Sequence, residues 1–173
     1  MLYFIITAIL LTLFQKRNPL TFIRNITFEW PLLILLSFGT QIALTFITIQ
    51  TKEKLEWVFV LTFIGIIIAL FKNRKIIGVK WILFGATLNL LALLLHGGTM
   101  PVSEKALELT GQESVQFDTD ARHHLINETS FWILGDWIPF IRYVLSPGDF
   151  FAGIGIILLI VKHSEYRRRQ GAV

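Results

Sequence analysis

Long apolar runs are the feature that most constrains how this chain can fold. Five of them, at residues 1–14, 31–49, 57–71, 76–95 and 147–161, carry few or no charges. A helix needs about 20 such residues to cross the hydrocarbon core of a bilayer, and a shorter run can be extended by interfacial side chains at its ends. The sequence therefore predicts an all-α fold, an integral membrane helical bundle with about five transmembrane helices at these positions.

Composition supports a lipid environment. Hydrophobic residues make up 54% of the chain and charged residues 16%, whereas soluble domains carry about 25% charged residues. No linker, low-complexity tract or fixed-period repeat divides the sequence, so we expect a single membrane domain over residues 1–173. The absence of cysteine excludes disulfides, thiolate metal sites and a cysteine nucleophile.

Two local features bear on the predicted helices. Residues 1–14 are expected to be a retained helix, because no basic residue precedes them and no small-x-small cleavage site follows them. Gly65, Gly153 and Gly155 lie on later helices, where glycine allows a neighbouring helix to approach closely. That neighbour can belong to the same chain or to a partner subunit.

Basic residues are distributed unevenly around the predicted spans. With the N-terminus outside, eleven of the sixteen lysines and arginines fall inside: Lys16, Arg17, Arg24, Lys72, Arg74, Lys75, Lys80, Lys162, Arg167, Arg168 and Arg169. Because such residues accumulate in the cytoplasm, we predict a bacterial plasma membrane protein with its N-terminus outside and its C-terminus in the cytoplasm. Basic residues at the ends of apolar runs do not form a nucleic-acid-binding face. The expected partners are the lipid bilayer and other membrane proteins, or further copies of the chain.

Residues 96–146 are expected to form a structured outer loop, and ten of the twelve carboxylates of the chain fall outside. Ser103 and Gly111 bracket a short capped helix. Residues 131–145, FWILGDWIPFIRYVL, are rich in aromatic residues but interrupted by glycine and proline. A re-entrant or interfacial helix is therefore expected there.

The segment HGGTMPVS begins this loop. Gly97 and Gly98 suit the positive φ angles that end a helix, and Pro101 prevents the helix from resuming. A helix terminator is favoured over a ligand-binding loop, because glycine and proline are ordinary turn residues. Met100 is then expected only to pack.

Three polar side chains lie at the level of the predicted membrane and need partners. Asn89 falls in the outer half of the fourth span, and Asp136 and Asp149 each follow a glycine beside an apolar run. An internal ion pair with Arg142 or Arg122 is favoured over a functional site. Asp149 can instead cap the last helix.

The outer loop also holds nitrogen and oxygen donors of the kind that bind divalent metal ions: His96, His123, His124, Asp118, Asp120 and Glu128. Their spacing matches no usual metal motif, so a solvated polar loop is favoured and no metal ligand is assigned. Serine hydrolase, phosphate-binding and dinucleotide-binding motifs are missing, so no catalytic residue is assigned. The sequence indicates no particular cofactor.

Three motifs together resemble a known family. GGTMPVS, LGDWIPF and LSPGDF occur here in that order, and they resemble the GGxMPV, LGDxIP and SxGD motifs of a family of small bacterial multi-pass membrane proteins classified only as a domain of unknown function. The similarity covers nearly the whole chain. An asparagine often precedes the glycine pair in that family, where this chain has His96. The resemblance implies a bacterial plasma membrane location and about five helices, and it supplies no activity.

Three functions agree with these observations. The first is a non-enzymatic accessory, assembly or sensing protein that presents an acidic loop outside and binds other membrane proteins. The second is a binding or transport component for a small molecule or cation, with a pocket under the outer loop. The third is a membrane-embedded enzyme at the outer leaflet, which would use Asp136, Asp149 or His123 as acid or base. The candidate ligand-binding residues are Asn89, His96, Gly97, Gly98, Met100, Asp136, Arg142 and Asp149.

Overall fold

The computed structural model describes residues 1–112, 123–125 and 132–166, and helices make up most of them. The helices are α1 (Leu2–Phe14), α2 (Thr21–Asn25), α3 (Pro31–Thr51), α4 (Glu56–Lys72), α5 (Val79–Leu95), α6 (Glu104–Thr110) and α7 (Pro147–His163). The ends of α1, α3, α4, α5 and α7 lie within three residues of the five apolar runs. The apolar runs therefore predicted the positions of the long helices.

Short strands near the ends of the helices form three two-stranded sheets. They are β1 (Arg17–Asn18), β2 (Met100–Val102), β3 (His123–Leu125), β4 (Ile138–Phe140), β5 (Tyr143–Leu145) and β6 (Glu165–Tyr166). β1 pairs antiparallel with β6, β2 pairs in parallel with β3, and β4 pairs antiparallel with β5. The first pairing brings the end of α1 beside the end of α7, and the second builds the region of the candidate site.

Glycines set the close contact between α5 and α7. A Cβ on Gly148 would stand 2.6 Å from the Gly85 carbonyl oxygen, and a Cβ on Gly155 would stand 2.7 Å from that of Gly78. Only glycine therefore lets these two backbones meet. Gly153 similarly lies against the ring of an aromatic residue on α1. The predicted role of Gly153 and Gly155 in close contacts is confirmed, and the contacts are within the chain.

The long helices pack side by side in the order α3, α4, α5, α7 and α1. One core cluster joins α3, α4, α5 and β2, and consists of Leu44, Phe59, Val60, Phe63, Ala92, Leu93 and Met100. A second cluster joins α4, α5 and α7, and consists of Ile66, Leu70, Val79, Ala86 and Leu159. Seven basic residues lie near this second cluster, and we name them the basic end of the molecule: Arg17, Arg24, Lys72, Arg74, Lys75, Lys80 and Lys162.

The predicted bundle of about five transmembrane helices is wrong. Within the described residues, α3, with 21 residues, is the one helix that is both long and apolar enough to cross a membrane. The 13 residues of α1 and the 17 of α5 extend about 20 Å and about 26 Å, less than the roughly 30 Å of the hydrocarbon core. α5 begins only at Val79 because Gly78 takes a φ of 95°. The all-α class is also wrong, because residues beyond several helix ends pair as strands.

The aromatic segment 132–145 is not a re-entrant or interfacial helix. It forms a 3-10 turn at Trp132–Leu134, followed by the antiparallel hairpin of β4 and β5. Pro139 cannot donate a helical hydrogen bond, and Ile141 takes a φ of 57° in the hairpin turn. Both residues favour a hairpin over a helix.

The predicted short helix after Ser103 is confirmed as α6. It ends at Gly111, whose φ of 71° is the left-handed conformation that glycine adopts at helix ends. The Ser103 side chain makes no capping bond, but its backbone N–H donates to the Asp136 carbonyl oxygen at 2.9 Å. This bond ties α6 to the segment that carries Asp136.

Candidate functional site

Two glycines turn the chain sharply at the end of α5. Gly97 and Gly98 take φ values of 67° and 95°, and the Gly98 N–H donates to the Leu93 carbonyl oxygen at 2.7 Å. Gly98 also lies against Glu56 at the start of α4, too close for any Cβ. The predicted helix terminator is confirmed, and it leaves His96 as the last residue before the turn.

The chain then enters β2, which pairs with β3. Met100 is fully buried in the first core cluster, as the sequence predicted. The parallel register sets Met100 opposite His123 and Pro101 opposite His124. Adjacent side chains of a strand point to opposite faces, so the two histidines make different contacts.

His124 faces the end of α5. Its Nδ1 lies 2.9 Å from Thr99 Oγ1, and its ring centroid lies 6.1 Å from that of His96. When Thr99 Oγ1 donates its hydrogen to the His96 carbonyl oxygen, 3.1 Å away, it accepts from His124 Nδ1. His96 Nδ1 lies 2.8 Å from the Ala92 carbonyl oxygen and therefore also carries a hydrogen. We name His96 and His124 the imidazole pair.

With both Nδ1 atoms donating, each ring of the imidazole pair presents a lone pair at Nε2. A neutral imidazole has one N–H and one acceptor nitrogen, and in each ring the N–H is used at Nδ1. Among the described residues, the buried His96 Nε2 has no hydrogen-bond partner, and none bonds to His124 Nε2. The arrangement favours a cation or a hydrogen-bond donor beside the two rings.

His123 contacts Asp136 on the other face of β3. Its Nε2 lies 3.2 Å from Asp136 Oδ2. The Asp136 N–H donates to the Pro101 carbonyl oxygen at 2.8 Å, which fixes this residue against β2. Asp136 is buried, and its Oδ1 has no hydrogen-bond partner within the described part of the chain. A buried carboxylate oxygen of this kind is costly unless it is paired.

The predicted ion pairs with Arg142 are absent from the described residues. Arg142 is exposed in the turn between β4 and β5 and forms no ion pair there. A histidine contact, His123 to Asp136, and an amide hydrogen bond, Asn89 to Asp149, take their place. Four other candidates of the outer loop lie outside the described residues: Asp118, Asp120, Arg122 and Glu128.

A second polar cluster lies inside the contact between α5 and α7. Asn89 Nδ2 donates to Asp149 Oδ1 at 2.9 Å, and Ser146 Oγ donates to Asn89 Oδ1 at 2.7 Å. The Asp149 N–H donates to Ser146 Oγ at 2.9 Å, so Ser146 caps α7. The buried Asn89 amide thus has the partner that the sequence required.

The structure separates the residues that the sequence placed in one pocket. Asn89 and Asp149 bind each other between helices. His96 contacts His124 and Asp136 contacts His123, so these two lie near opposite faces of β3. No group of three or more His, Asp or Glu side chains within residues 1–112, 123–125 and 132–166 could hold a metal ion. Sequence reasoning missed two hydroxyl partners, Thr99 and Ser146. The cap of α7 predicted at Asp149 in SPGD is wrong, because Ser146 is the capping residue and the Asp149 N–H donates to it. No local pattern marks the threonine.

The imidazole pair is expected to make the folded state sensitive to acid. Burial, and then His96, Lys54 and His123 nearby, lowers the pKa of His124 from its ordinary value of 6.5. The unfolded chain therefore takes up this proton at higher pH than the folded chain does. The free energy of unfolding has its full value above pH 6.5. It decreases as the pH falls through 6.5 toward the lowered pKa that His124 has in the folded state. The effect is small, because the ring is partly exposed.

Thermal unfolding of the metal-free protein at about pH 7.5 and about pH 5.5 measures this effect. We expect wild type to lose more stability on acidification than His124→Gln, which cannot be protonated there. Lys54 Nζ, which donates to the His123 carbonyl oxygen at 3.3 Å, and Asp136 remain unchanged in the variant. Equal acid sensitivity of the two proteins would contradict the assignment.

Comparison with known proteins gives two matches. The model of a family described as "Family of unknown function (DUF5317)" matches residues 25–161. An uncharacterized protein of Thermotoga maritima is 30% identical over 119 residues, which are 65% of this chain and 68% of that protein. No solved structure matches the chain.

Proposed function

The chain belongs to the family of unknown function DUF5317, and from the geometry of its site we propose that it is a non-enzymatic sensing component of a bacterial plasma membrane. The proposed signal is a divalent transition-metal cation bound by the imidazole pair. The observation that carries the proposal is the two Nε2 lone pairs left over when both Nδ1 atoms are hydrogen-bonded.

The membrane setting rests on α3. Only 17% of its most apolar 18-residue window is buried by the rest of the chain. Its large exposed apolar side chains are Leu32, Leu35, Leu36, Phe38, Ile42, Phe46, Ile47 and Ile49. A monomeric protein in water rarely exposes so large an apolar patch. The proposed cover of this face is lipid, together with other membrane proteins that receive the signal.

The basic end supports an orientation with the N-terminus outside. Arg17 Nη1 donates to the Val161 carbonyl oxygen at 3.0 Å, which holds the ends of α1 and α7 together. Lysine and arginine accumulate on the cytoplasmic side, so this end is proposed to face the cytoplasm. α3 starts beside the basic end, where Lys72 lies over the Trp30 ring, and it ends at Thr51. Glu56 follows that end and packs against Gly98 in the turn after His96, so the imidazole pair is proposed to face outward.

The chemistry of the imidazole pair suits a reversible cation site. Neutral imidazole nitrogen is a common ligand for zinc, copper and nickel. Two protein ligands leave the other coordination positions to water or further groups, so the affinity is expected to be lower than that of a structural zinc site. The lowered pKa of His124 keeps its ring neutral, and therefore able to bind a metal, near neutral pH.

Titration of zinc into the purified full chain, prepared without a histidine tag, tests the proposal. We expect roughly one Zn²⁺ ion per chain. Both His96→Gln and His124→Gln are expected to weaken zinc binding at least about tenfold, because each removes one of two protein ligands. Isothermal titration calorimetry in detergent measures the stoichiometry and the affinity.

His163→Gln is the matched control for this experiment. His163 Nδ1 lies 2.8 Å from the Leu159 carbonyl oxygen, which reproduces the local geometry of His96 at the end of another helix. We expect the control to bind zinc as wild type does, because it leaves the imidazole pair intact. Wild-type binding in both test variants, or an equal loss in the control, would overturn the proposal.

A further inference from the structure

A cavity at the basic end has no role in the proposed sensing site. Its volume is about 260 Å³, and it lies between the turn after α4, the start of α5 and the last part of α7. Cations and apolar side chains line it: Arg74, Lys75, Lys80, Ile77, Trp81 and Leu158. A cavity of this composition can hold a ligand that is both charged and apolar.

The positive charge of the cavity is not balanced by the chain. No acidic residue lines the cavity, and none of the three cations forms an ion pair with any residue that the structure describes. Like charges that converge in one place repel each other and raise the local positive potential. The cavity therefore favours an anion.

Arg74 is held in position before any ligand binds. Its Nη1 donates to the Phe71 carbonyl oxygen at 2.8 Å, and its guanidinium lies over the Phe71 ring, 4.1 Å from the centroid. One of its five N–H donors is used in this bond, and a guanidinium matches the geometry of a phosphate. Preorganisation of this kind lowers the entropic cost of binding.

The apolar wall points to a lipid. Trp81 is 44% exposed while stacking on Phe151 with ring centroids 5.9 Å apart, and Ile77 is 54% exposed. Tryptophan is enriched where the hydrocarbon core meets water. Lys72 Nζ lies 5.1 Å from the centroid of the Trp30 ring, a second pairing of cation and tryptophan at the basic end. Cations beside exposed apolar surface match a phosphate headgroup that continues into an acyl chain.

We propose that this cavity binds the phosphate headgroup of an anionic phospholipid of the cytoplasmic leaflet, with an acyl chain along Trp81 and Leu158. The proposal rests on the membrane setting proposed above and is independent of the imidazole pair. The cavity is slightly smaller than the roughly 300–1,000 Å³ of small-molecule pockets, so it takes the headgroup and leaves the tails in the bilayer. Basic pockets on the cytoplasmic side of membrane proteins bind headgroups in this way.

Native mass spectrometry of the detergent-solubilised full chain tests the proposal with phosphatidylglycerol, phosphatidylcholine and inorganic phosphate as probes. We expect phosphatidylglycerol to bind at least about tenfold more tightly than phosphatidylcholine. The double variant Lys75→Gln/Lys80→Gln is expected to remove most of that preference, because each lysine contributes to attraction of an anionic lipid. The variant Lys52→Gln/Lys105→Gln is the control, because it removes the same number of positive charges outside the cavity. Its affinity for phosphatidylglycerol is expected to stay within about twofold of the wild-type affinity.

Equal binding of the two lipids by wild type, or an equal loss in both double variants, would overturn the proposal. Complete displacement of phosphatidylglycerol by millimolar inorganic phosphate would overturn the lipid assignment in favour of a free phosphate. Failure of the membrane setting has a different signature, since the purified chain would then stay monodisperse without detergent and bind neither lipid.

Discussion

Replacing Gly148 with alanine is expected to lower the free energy of unfolding by about 3 kcal/mol or more. The new methyl group would stand 2.6 Å from the Gly85 carbonyl oxygen and would collide with the Asn89 amide oxygen. Backbone atoms of a packed helix cannot move aside, and overpacking of this kind costs roughly 1–3 kcal/mol. Displacing Asn89 leaves the Ser146 hydroxyl without its acceptor, which adds a further roughly 1–3 kcal/mol.

Gly39→Ala is the matched control for this prediction. Gly39 lies within α3, and a Cβ there meets nothing within 4 Å. Because alanine is the better helix former, we expect the control to be as stable as wild type or up to about 1 kcal/mol more stable. Unfolding in detergent, followed by far-ultraviolet circular dichroism, measures both variants. Equal midpoints for the two variants would show that the contact between α5 and α7 is looser than described.

The helices could be predicted from the sequence because their signals are local. An apolar run bounded by proline or glycine specifies a helix and its ends, as Pro31, Pro147 and Gly97 do here. The number of membrane spans could not be predicted in this way, because it depends on helix length to within a few residues. Gly78, with its positive φ, is one residue that shortened a predicted span.

The candidate site was less predictable because its contacts are distant in sequence. Thr99 and His124 are 25 residues apart, and they meet only because β2 pairs with β3. Strands of three residues are too short to show an alternating pattern, so nothing in the sequence indicated this pairing. The need of Asn89 for a partner was predictable from its apolar surroundings, whereas the identity of that partner depended on how α5 and α7 pack.

Asn89→Leu is expected to lower the free energy of unfolding by about 3 kcal/mol. Leucine has a similar branched shape, so the main loss is polar. The Asp149 carboxylate loses the amide that donates to it, and the Ser146 hydroxyl loses its acceptor. Thr87→Val on the same helix is the control, because the Thr87 hydroxyl is exposed and donates only to the Leu83 carbonyl oxygen. We expect this control to stay within about 0.5 kcal/mol of wild type.

Combining Asn89→Leu with Asp149→Asn distinguishes loss of the polar network from a packing effect of the leucine side chain. In the wild-type background Asp149→Asn is expected to change stability little, because an asparagine oxygen can still accept from the Asn89 amide. In the Asn89→Leu background it is expected to restore at least about 1 kcal/mol, because it removes a carboxylate charge that has lost its donor. Denaturant unfolding of wild type, the two single variants and the double variant gives the coupling free energy between Asn89 and Asp149. If Asn89→Leu is as stable as wild type, the network contributes nothing to the fold, and Asn89 and Asp149 become candidates for ligand binding again.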